Sequence, residues 1–179
     1  IDGDGHAEVI MLKDFRIQVL DGKTGQLKMS APSPMATNGG RYWYGDFPED
    51  PFDRVTGDAI AFADFDGGRG AQHIIIKDRY SGFWVYNNKL ELQWNHDCET
   101  GHYPAIYDIN GDGRDEIMMG NTLFDYQGNV LWSVDLEDHV DGIAIGPFGP
   151  NGEVRVALAA GHHGFILLDQ GGEVLKTHK

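Results

Sequence analysis

Short stretches in which apolar and polar residues alternate run along the whole chain, and no segment keeps a helical period. Gly-, Asp- and Asn-rich turns separate these stretches. In the second half of the chain they fall at residues 104–108, 116–120, 123–126 and 130–134, and again at 142–146, 153–160, 165–169 and 173–176. Residues typical of β-hairpin turns lie between the last two stretches of each group, at Gln127-Gly128-Asn129 and Gln170-Gly171-Gly172. The pattern predicts an all-β chain.

The stretches form a repeat in which an Asp/Gly loop follows the first strand of each unit. Four units are anchored at Asp2, Asp66, Asn110 and Phe148. The spacing of the last three lies near the period of about 40 to 50 residues found in propeller blades. We therefore predict a β-propeller with about four blades, at about 1–31, 58–97, 102–136 and 140–179, and a rim insertion at about 31–57. Because four blades close poorly, we expect a seven- or eight-bladed ring whose remainder is supplied by missing sequence.

The third Asp/Gly loop has the residue spacing of a calcium site. Oxygen ligands at its positions 1, 3, 5 and 9 can converge on one hard cation, with a backbone carbonyl as a fifth ligand. These ligands would be Asp108, Asn110, Asp112, Glu116 and the carbonyl of Arg114. An apolar run follows at once, so the loop is predicted between strands and not between the helices of an EF-hand. The alternative is a surface turn without a metal.

The other loops are predicted to bind calcium less well. The chain opens inside a similar loop, and Asp2, Asp4, Glu8 and the carbonyl of His6 would form a second, weaker site without its first ligand. In the second loop Gly68 stands where a carboxylate belongs. The fourth loop has no carboxylate before Glu153. We expect the second loop to be empty or poorly occupied and the fourth loop to bind nothing.

Composition excludes some partners. The net charge of −14 argues against nucleic acid and against anionic membrane surfaces. Cys98, the single cysteine, has no partner for an internal disulfide, and Asp97 and Glu99 beside it would raise its pKa. The sequence contains no transmembrane run. Calcium loops of this kind are weak enough to favour an extracellular or periplasmic location.

Antiparallel blade topology places the calcium loops on one face and most histidines on the opposite rim. The residues expected on that rim are Arg79, Tyr80, His96, His102, Tyr103, His139, His162 and His163. The insertion adds Arg41, Tyr42, Trp43 and Tyr44 to the same face. Aromatic rings beside polar groups suit a sugar, although Trp43 and Tyr44 could equally pin the insertion to the rim.

His, Tyr and Arg side chains together suit proton abstraction next to a carboxylate. Arg79 or a histidine could offset the charge of a uronate, while Tyr80, Tyr103 or a histidine moves the proton. This reaction is the β-elimination of polysaccharide lyases. A glycosidase would need two facing carboxylates, and Asp97, Glu99, Glu137, Asp138 and Asp141 keep that option open. A zinc site at His162 and His163 is a further alternative, less favoured because adjacent side chains in a tight turn rarely face one ion.

Three segments carry a resemblance that spans nearly the whole chain. Lys77-Asp-Arg-Tyr80 before Phe83-Trp84, Thr100-Gly-His-Tyr103, and Asp138-His-Val-Asp-Gly142 resemble sequences of bacterial β-propeller polysaccharide lyases. These are the rhamnogalacturonan, ulvan and rhamnose–glucuronate lyases, whose blades carry FG-GAP-like calcium loops. In the ulvan-lyase-like enzymes a His neutralises the carboxylate, and a Tyr and a second His handle protons, with an Arg nearby. The positions that match best are His102, His139, Tyr80 and Arg79.

Two functions follow as expectations. The first is a lyase that cleaves a rhamnose- and uronate-containing polysaccharide by β-elimination. The second is a non-catalytic, calcium-stabilised propeller that binds glycan or protein, as FG-GAP modules do. A clustered His/Tyr/Arg set discriminates between them, because a binding module has no need of it.

Overall fold

The computed structural model describes residues 1–36, 54–68 and 70–179 of the chain. The regular secondary structure of the described part consists of β-strands and one turn of 3-10 helix at Gly161–His163. The strands are β1 (Glu8–Lys13), β2 (Arg16–Asp21), β3 (Leu27–Pro32), β4 (Ala59–Ala63), β5 (His73–Lys77), β6 (Gly82–Tyr86), β7 (Leu92–Asp97), β8 (Ala105–Tyr107), β9 (Glu116–Met119), β10 (Thr122–Phe124), β11 (Val130–Ser133), β12 (Val140–Gly146), β13 (Arg155–Ala160), β14 (Gly164–Asp169) and β15 (Val174–His178).

These strands form four antiparallel sheets in which neighbours in the sheet are neighbours in the chain. Sheet 1 holds β1–β3, sheet 2 holds β4–β7, sheet 3 holds β8–β11 and sheet 4 holds β12–β15. The predicted all-β class with antiparallel sheets is confirmed. In the described residues no helix has the length and apolar character needed to cross a membrane.

One apolar core lies between each pair of consecutive sheets. The alternation along β5 shows why: Ile74 and Ile76 pack toward sheet 1, with Ile17 and Val19, whereas Ile75 packs toward sheet 3. A strand exposes successive side chains on opposite faces, so a sheet between two others needs apolar residues on both. A third core joins sheets 3 and 4. Each isoleucine fully removed from water contributes about 1.5–3 kcal/mol.

The first strands of sheets 2, 3 and 4 contact in succession, β4 with β8 and β8 with β12, and this arrangement defines two ends. The Asp/Gly end carries the turns β4–β5, β8–β9 and β12–β13. The histidine end carries the turns β5–β6, β9–β10 and β13–β14, and also the segments that enter β8 and β12. The two ends are separated by the length of the first strands.

Tryptophans on the last strands hold neighbouring sheets in register. Trp94 of β7 lies over the β10–β11 turn, and its Nε1 donates to Tyr126 O at 3.2 Å. Trp132 of β11 repeats this on the β14–β15 turn, donating to Gln170 O at 3.0 Å. Beneath the rings lie Gly128 and Gly172, where a Cβ would come within 2.9 Å and 2.7 Å of an indole carbon. Glycine is therefore required by space as well as by its positive φ.

The equivalent contact between sheets 1 and 2 uses different residues. Leu90, with φ of 62°, takes the place of glycine in the β6–β7 turn. Met29 takes the place of tryptophan on β3, since it pairs with Val19 as Trp94 pairs with Val85. Both side chains belong to the core between the two sheets. The Met29 side chain is smaller and more flexible than tryptophan, and the Leu90 side chain opposite it is larger than glycine.

Candidate functional site

Four of the residues expected to act together meet at the histidine end. Arg79 and Tyr80 lie in the β5–β6 turn, His102 lies just before β8, and His139 lies just before β12. The ring centroids of Tyr80 and His102 are 5.8 Å apart, those of Tyr80 and His139 are 5.4 Å apart, and those of the two histidines are 5.1 Å apart. The guanidinium carbon of Arg79 lies 5.6 Å from the Tyr80 ring centre. We call these four residues, with Asp138 and Asp141, the histidine cluster.

Asp141 joins the two histidines. Its Oδ1 lies 3.1 Å from His139 Nε2 and 3.5 Å from His102 Nε2. Asp141 falls at a register shift between Val140 and Gly142, so it has no partner in the β12–β13 ladder. A bulge of this kind redirects a side chain. From the sequence, Asp141 is expected only as one of the carboxylates available to a glycosidase, because the alternation of residues does not show where a bulge directs a side chain.

Asp138 fixes the orientation of His139. Its Oδ1 accepts the backbone N–H of His139 at 2.8 Å and lies 2.9 Å from the Nδ1 of the same ring. Its Oδ2 accepts the backbone N–H of His162 at 3.2 Å. The His162 and His139 N–H donors hold the pKa of Asp138 below its usual range, against the effect of burial. With Nδ1 facing Asp138, the Nε2 of His139 is directed at Asp141, 3.1 Å from its Oδ1.

Three atoms of the cluster are arranged as metal ligands. One atom each from His102, His139 and Asp141 lies within 4.8 Å of the other two. Two imidazoles and one carboxylate form a donor set that binds divalent cations. Asp138 would be the outer partner that orients one of the ligands. The residues present therefore fit a divalent cation at this position.

The β5–β6 turn is held by a dense set of hydrogen bonds. Asp78 Oδ1 accepts the N–H groups of Ser81 at 2.7 Å and Gly82 at 2.9 Å. Lys77 is fully buried, and its Nζ donates to Asp58 at 2.9 Å and to Arg79 O at 3.1 Å. Thr100 N donates to Tyr80 O at 3.3 Å. Arg79 and Tyr80 are thus carried on a short turn tied to its own sheet and to the segment before β8.

Glu99 supports the segment that carries His102. Its Oε1 accepts the N–H of Gly101 at 2.6 Å, and its buried Oε2 has no hydrogen-bond partner among the described residues. Burial raises the pKa of Glu99. A Cβ at Gly120 would lie 2.3 Å from Glu99 O. His102 N donates to Val140 O at 3.1 Å, which ties the segment to sheet 4.

Tyr103, His162 and His163, which were also expected at this end, differ in their contacts. Tyr103 is the most exposed of the large apolar side chains in the described residues, at 68 %. His162 is also exposed, with Nδ1 3.6 Å from Asp138 Oδ2, and His163 Nε2 accepts the N–H of Glu137 at 2.9 Å. These two histidines thus contact different residues. Arg41, Tyr42, Trp43 and Tyr44 lie outside the described residues.

His96 and Cys98 do not belong to the histidine cluster. His96 packs against Phe83 and Phe124, with its Nε2 2.6 Å from Gly128 O, so the expectation that it lines the rim is wrong. It lies on β7, on the same face as Trp94, which packs on the core between sheets 2 and 3. Burial raises the pKa of Cys98 to about 12, with smaller contributions from neighbouring carboxylates. The direction expected from the sequence is right, but burial is the larger cause.

At the Asp/Gly end, the third loop gathers its acidic side chains by backbone hydrogen bonds. Asp108 Oδ1 accepts Gly111 N at 2.7 Å and Asp112 N at 3.0 Å, and Glu116 Oε2 accepts Ile109 N at 2.8 Å. Asn110 Nδ2 donates to Glu116 Oε1 at 3.0 Å. Glu116 is almost fully buried, and burial, followed by Asp112 and Asp108, raises its pKa. A buried carboxylate beside two others is stabilised by a cation, so the loop fits calcium.

The Arg114 side chain turns away from these carboxylates. Its guanidinium carbon lies 4.5 Å from the ring centre of Tyr126. The neighbouring Asp115 bridges to the second loop, where its Oδ2 accepts Asp64 N at 2.7 Å and its own N–H donates to Asp64 O at 2.9 Å. Two Asp/Gly loops of consecutive sheets are thereby linked.

The other loops differ from the third in their charge balance. Asp64 of the second loop accepts N–H groups from Asp66, Gly67, Gly68 and Gly70, at 2.8–3.1 Å. In the fourth loop Glu153 accepts hydrogen bonds from Asn151. In the first loop, atoms of Asp2, Asp4 and Glu8 lie within 4.8 Å of one another. Lys28 contacts all three carboxylates, the Ile1 backbone nitrogen contacts Glu8 as Ile109 N contacts Glu116, and His6 N donates to Asp4 at 2.8 Å.

Comparison with known proteins finds one relative by sequence and several solved structures with a similar fold. No family model matches the chain. Rhamnogalacturonan exolyase YesX of Bacillus subtilis is 31 % identical over 101 residues, which are 51 % of this chain and 16 % of that protein. The crystal structure of rhamnogalacturonan lyase YesW superposes with a TM-score of 0.72 at 24 % identity, over 90 % of this chain and 30 % of that one.

A third protein with a similar fold is not a lyase by name. The biofilm matrix protein Bap1 of Vibrio cholerae superposes with a TM-score of 0.67 at 25 % identity, over 99 % of this chain and 27 % of that one. The chain thus spans less than a third of the length of each of these proteins. The fold is shared with rhamnogalacturonan lyases and with a matrix protein.

Proposed function

We propose that the chain is part of a polysaccharide lyase that cleaves a rhamnose- and uronate-containing glycan by β-elimination. The observation that carries the proposal is the histidine cluster, in which two histidines, a tyrosine and an arginine from three separate segments meet at one end of the sheets. The likeness to a rhamnogalacturonan exolyase supports the class of substrate.

The reaction assigns a role to each group in the cluster. A base removes the proton on the carbon next to the uronate carboxylate, and the electron pair left behind forms a double bond to the next carbon. The bond from that carbon to the glycosidic oxygen breaks, and this oxygen takes a proton. We assign the proton transfers to Tyr80 and His102, which lie edge to face. Arg79 and His139 would stabilise the charge that grows on the carboxylate.

A divalent cation at His102, His139 and Asp141 would change this assignment, because a histidine nitrogen that binds a metal carries no proton. When bound there, the cation would itself supply the positive charge for the uronate carboxylate, and the proton transfers would be left to Tyr80. The residues of the chain would then have the task of holding that charge next to Tyr80. The ring distance of 5.4 Å between Tyr80 and His139 leaves the two close enough to contact one sugar residue.

We also propose that the four sheets are consecutive blades of a β-propeller and that the third Asp/Gly loop binds calcium. Support for the blades comes from the contact between successive first strands and from a core between each pair of sheets. Support for calcium comes from the buried carboxylate of Glu116 beside Asp108 and Asp112. A location outside the cytoplasm, where calcium is abundant, follows from this second proposal.

A non-catalytic, glycan-binding role is the second candidate, favoured by the likeness to a biofilm matrix protein over 99 % of the chain. In that case the histidine cluster would bind an acidic glycan without breaking it. The exposed ring of Tyr103, beside His102, would serve either function as a surface for a sugar.

The decisive experiment follows the ultraviolet absorbance of unsaturated uronate ends while the protein acts on a panel of uronate polysaccharides. A lyase produces a steady rise on at least one polymer, and His139→Ala lowers the rate by about 10²-fold or more. Tyr126→Phe, at the Asp/Gly end, is the matched control and keeps full activity. Binding of a polymer without any rise in absorbance would favour the binding role and overturn the lyase proposal.

A further inference from the structure

The first Asp/Gly loop already contains a cation of its own. Lys28 Nζ lies 3.0 Å from Asp4 Oδ2 and 3.0 Å from Glu8 Oε1, and it also contacts Asp2. Its side chain is mostly buried, at 23 % exposure, and that of Glu8 is nearly inaccessible. The ammonium group therefore occupies the space between the three carboxylates that a metal ion would need.

The backbone of β3 directs Lys28 to this place. Met29 pairs with Val19 and Leu27 pairs with Leu20, so Lys28 is the extra residue of a register shift. Each of the other sheets has the same shift between its last two strands, and the extra residues there are Gln93, Leu131 and Leu175. Sheet 1 is the one sheet among the described residues with a positive charge at this position.

The third loop shows how the carboxylates are bound in a sheet that has no lysine at the position of Lys28. Its sheet has Leu131 at the position of Lys28, and the Arg114 guanidinium lies over Tyr126. In the part of the chain that the structure describes, the hydrogen bonds to Asp108, Asp112 and Glu116 come from backbone N–H groups and the Asn110 amide. Related loops thus balance their carboxylates differently, one with an ammonium group and one without any cationic side chain.

We infer that Lys28 is the resident cation of the first loop, which for this reason binds no calcium while Lys28 is present. The inference rests on the proposal that Asp/Gly loops of this chain are cation sites. It reverses the expectation of a weak calcium site at Asp2, Asp4 and Glu8. A tethered ammonium has a high effective concentration, and calcium must displace it before reaching the carboxylates. Removing the charge of Lys28 would convert the loop into a calcium site.

The test titrates calcium into chelator-treated protein by calorimetry. Wild type binds one calcium ion, and Asp112→Asn abolishes that binding. Lys28→Met binds a second ion, and Lys28→Met with Asp112→Asn still binds one. Lys23→Met, in the exposed β2–β3 turn, is the matched control with wild-type stoichiometry. Lys28→Gln, which keeps a polar end, replaces Lys28→Met if the latter does not fold.

Two results would overturn the inference. One is a calcium ion bound by the wild-type first loop, recognised as binding that survives Asp112→Asn and is lost on adding Asp4→Asn. The other is a folded Lys28→Met protein that gains no calcium. A wild type that binds no calcium at all would instead remove the proposed third-loop site, while a gain in Lys28→Met would still support the role of Lys28. None of these outcomes depends on lyase activity.

Discussion

Tyr80 is the least accessible side chain of the histidine cluster, with 8 % of its surface exposed. Its ring is enclosed by those of His102 and His139, and the Arg79 guanidinium lies close by. Its backbone oxygen is fixed by Thr100 N. The surrounding groups thus hold the Tyr80 phenol in one position between two imidazoles. It can therefore transfer a proton without a change of rotamer.

We expect Tyr80→Phe to lower the kcat of the proposed lyase by about 10²- to 10⁴-fold, the usual contribution of a positioned proton donor or acceptor. KM should change little, because the ring that packs against the histidines is retained. Steady-state kinetics on the best polymer of the panel measures both constants, with Tyr126→Phe as the control. An unchanged kcat would exclude Tyr80 from the proton transfers.

Cys98 should be inert toward thiol reagents in the folded protein. Burial raises its pKa to about 12, so the thiol stays protonated at pH 8. The folded pKa lies above that of an unfolded thiol, so the stability of the protein is highest below the unfolded pKa and falls as pH rises from there toward 12, where only the unfolded thiol has lost its proton. The alkylation rate at pH 8 should be at least about 10-fold slower than in denaturant. Equal rates would show that Cys98 is accessible.

Among the elements, turns and bulges decide where the functional side chains lie. The alternation of residues predicted the strands of sheets 3 and 4 well, for example β9 at 116–120 against the observed Glu116–Met119. It placed β12 two residues late, at 142 instead of Val140, because Asp141 interrupts the alternation in a bulge. The same bulge brings Asp141 to the histidines. The grouping of Arg79, Tyr80, His102 and His139 was predictable from strand order, whereas contacts set by bulges were not.

The turn beneath Trp94 gives a prediction at this scale. Gly128→Ala must place a Cβ at positive φ and 2.9 Å from the indole. We expect it to lower the free energy of unfolding by about 2–4 kcal/mol, from backbone strain and overpacking together. Gly152→Ala, whose φ is also positive but whose Cβ would have no neighbour within 4 Å, is the matched control. It should lose about 1 kcal/mol.

Urea unfolding at fixed calcium concentration measures both variants. The difference between them isolates the contact of sheet 2 with sheet 3, because the backbone term is common to both glycines. Equal losses in the two variants would mean that Trp94 adjusts without cost and does not set the register of the sheets.

On the scale of the whole molecule, negative charge and calcium are connected. The net charge of −14 opposes the compact state, and the third loop concentrates part of it beside the core of sheets 3 and 4. A ligand that binds only the folded chain stabilises it according to its concentration and affinity. The proposed calcium ion would therefore contribute to the stability of two sheets at once, since Asp115 links the third loop to the second.

We expect chelation of calcium to lower the midpoint of thermal unfolding. At calcium concentrations about 100-fold above Kd the loss corresponds to about 2.7 kcal/mol. Asp112→Asn should have a lower midpoint in calcium and respond little to chelator. Differential scanning calorimetry with and without chelator measures these shifts. A wild-type midpoint that does not respond to chelator would contradict a structural role for calcium.

The tryptophan contacts between sheets also bear on how such an array can grow by gene duplication. Sheet 3 presents a glycine turn to Trp94 on one side and its own Trp132 to a glycine turn on the other, so a copied sheet 3 would fit beside its parent. Sheet 2 presents Leu90 on one side and Trp94 on the other, so a copy would set an indole against a leucine. A copy of sheet 3 would therefore keep the tryptophan–glycine contact, whereas a copy of sheet 2 would keep it only with glycine in place of Leu90.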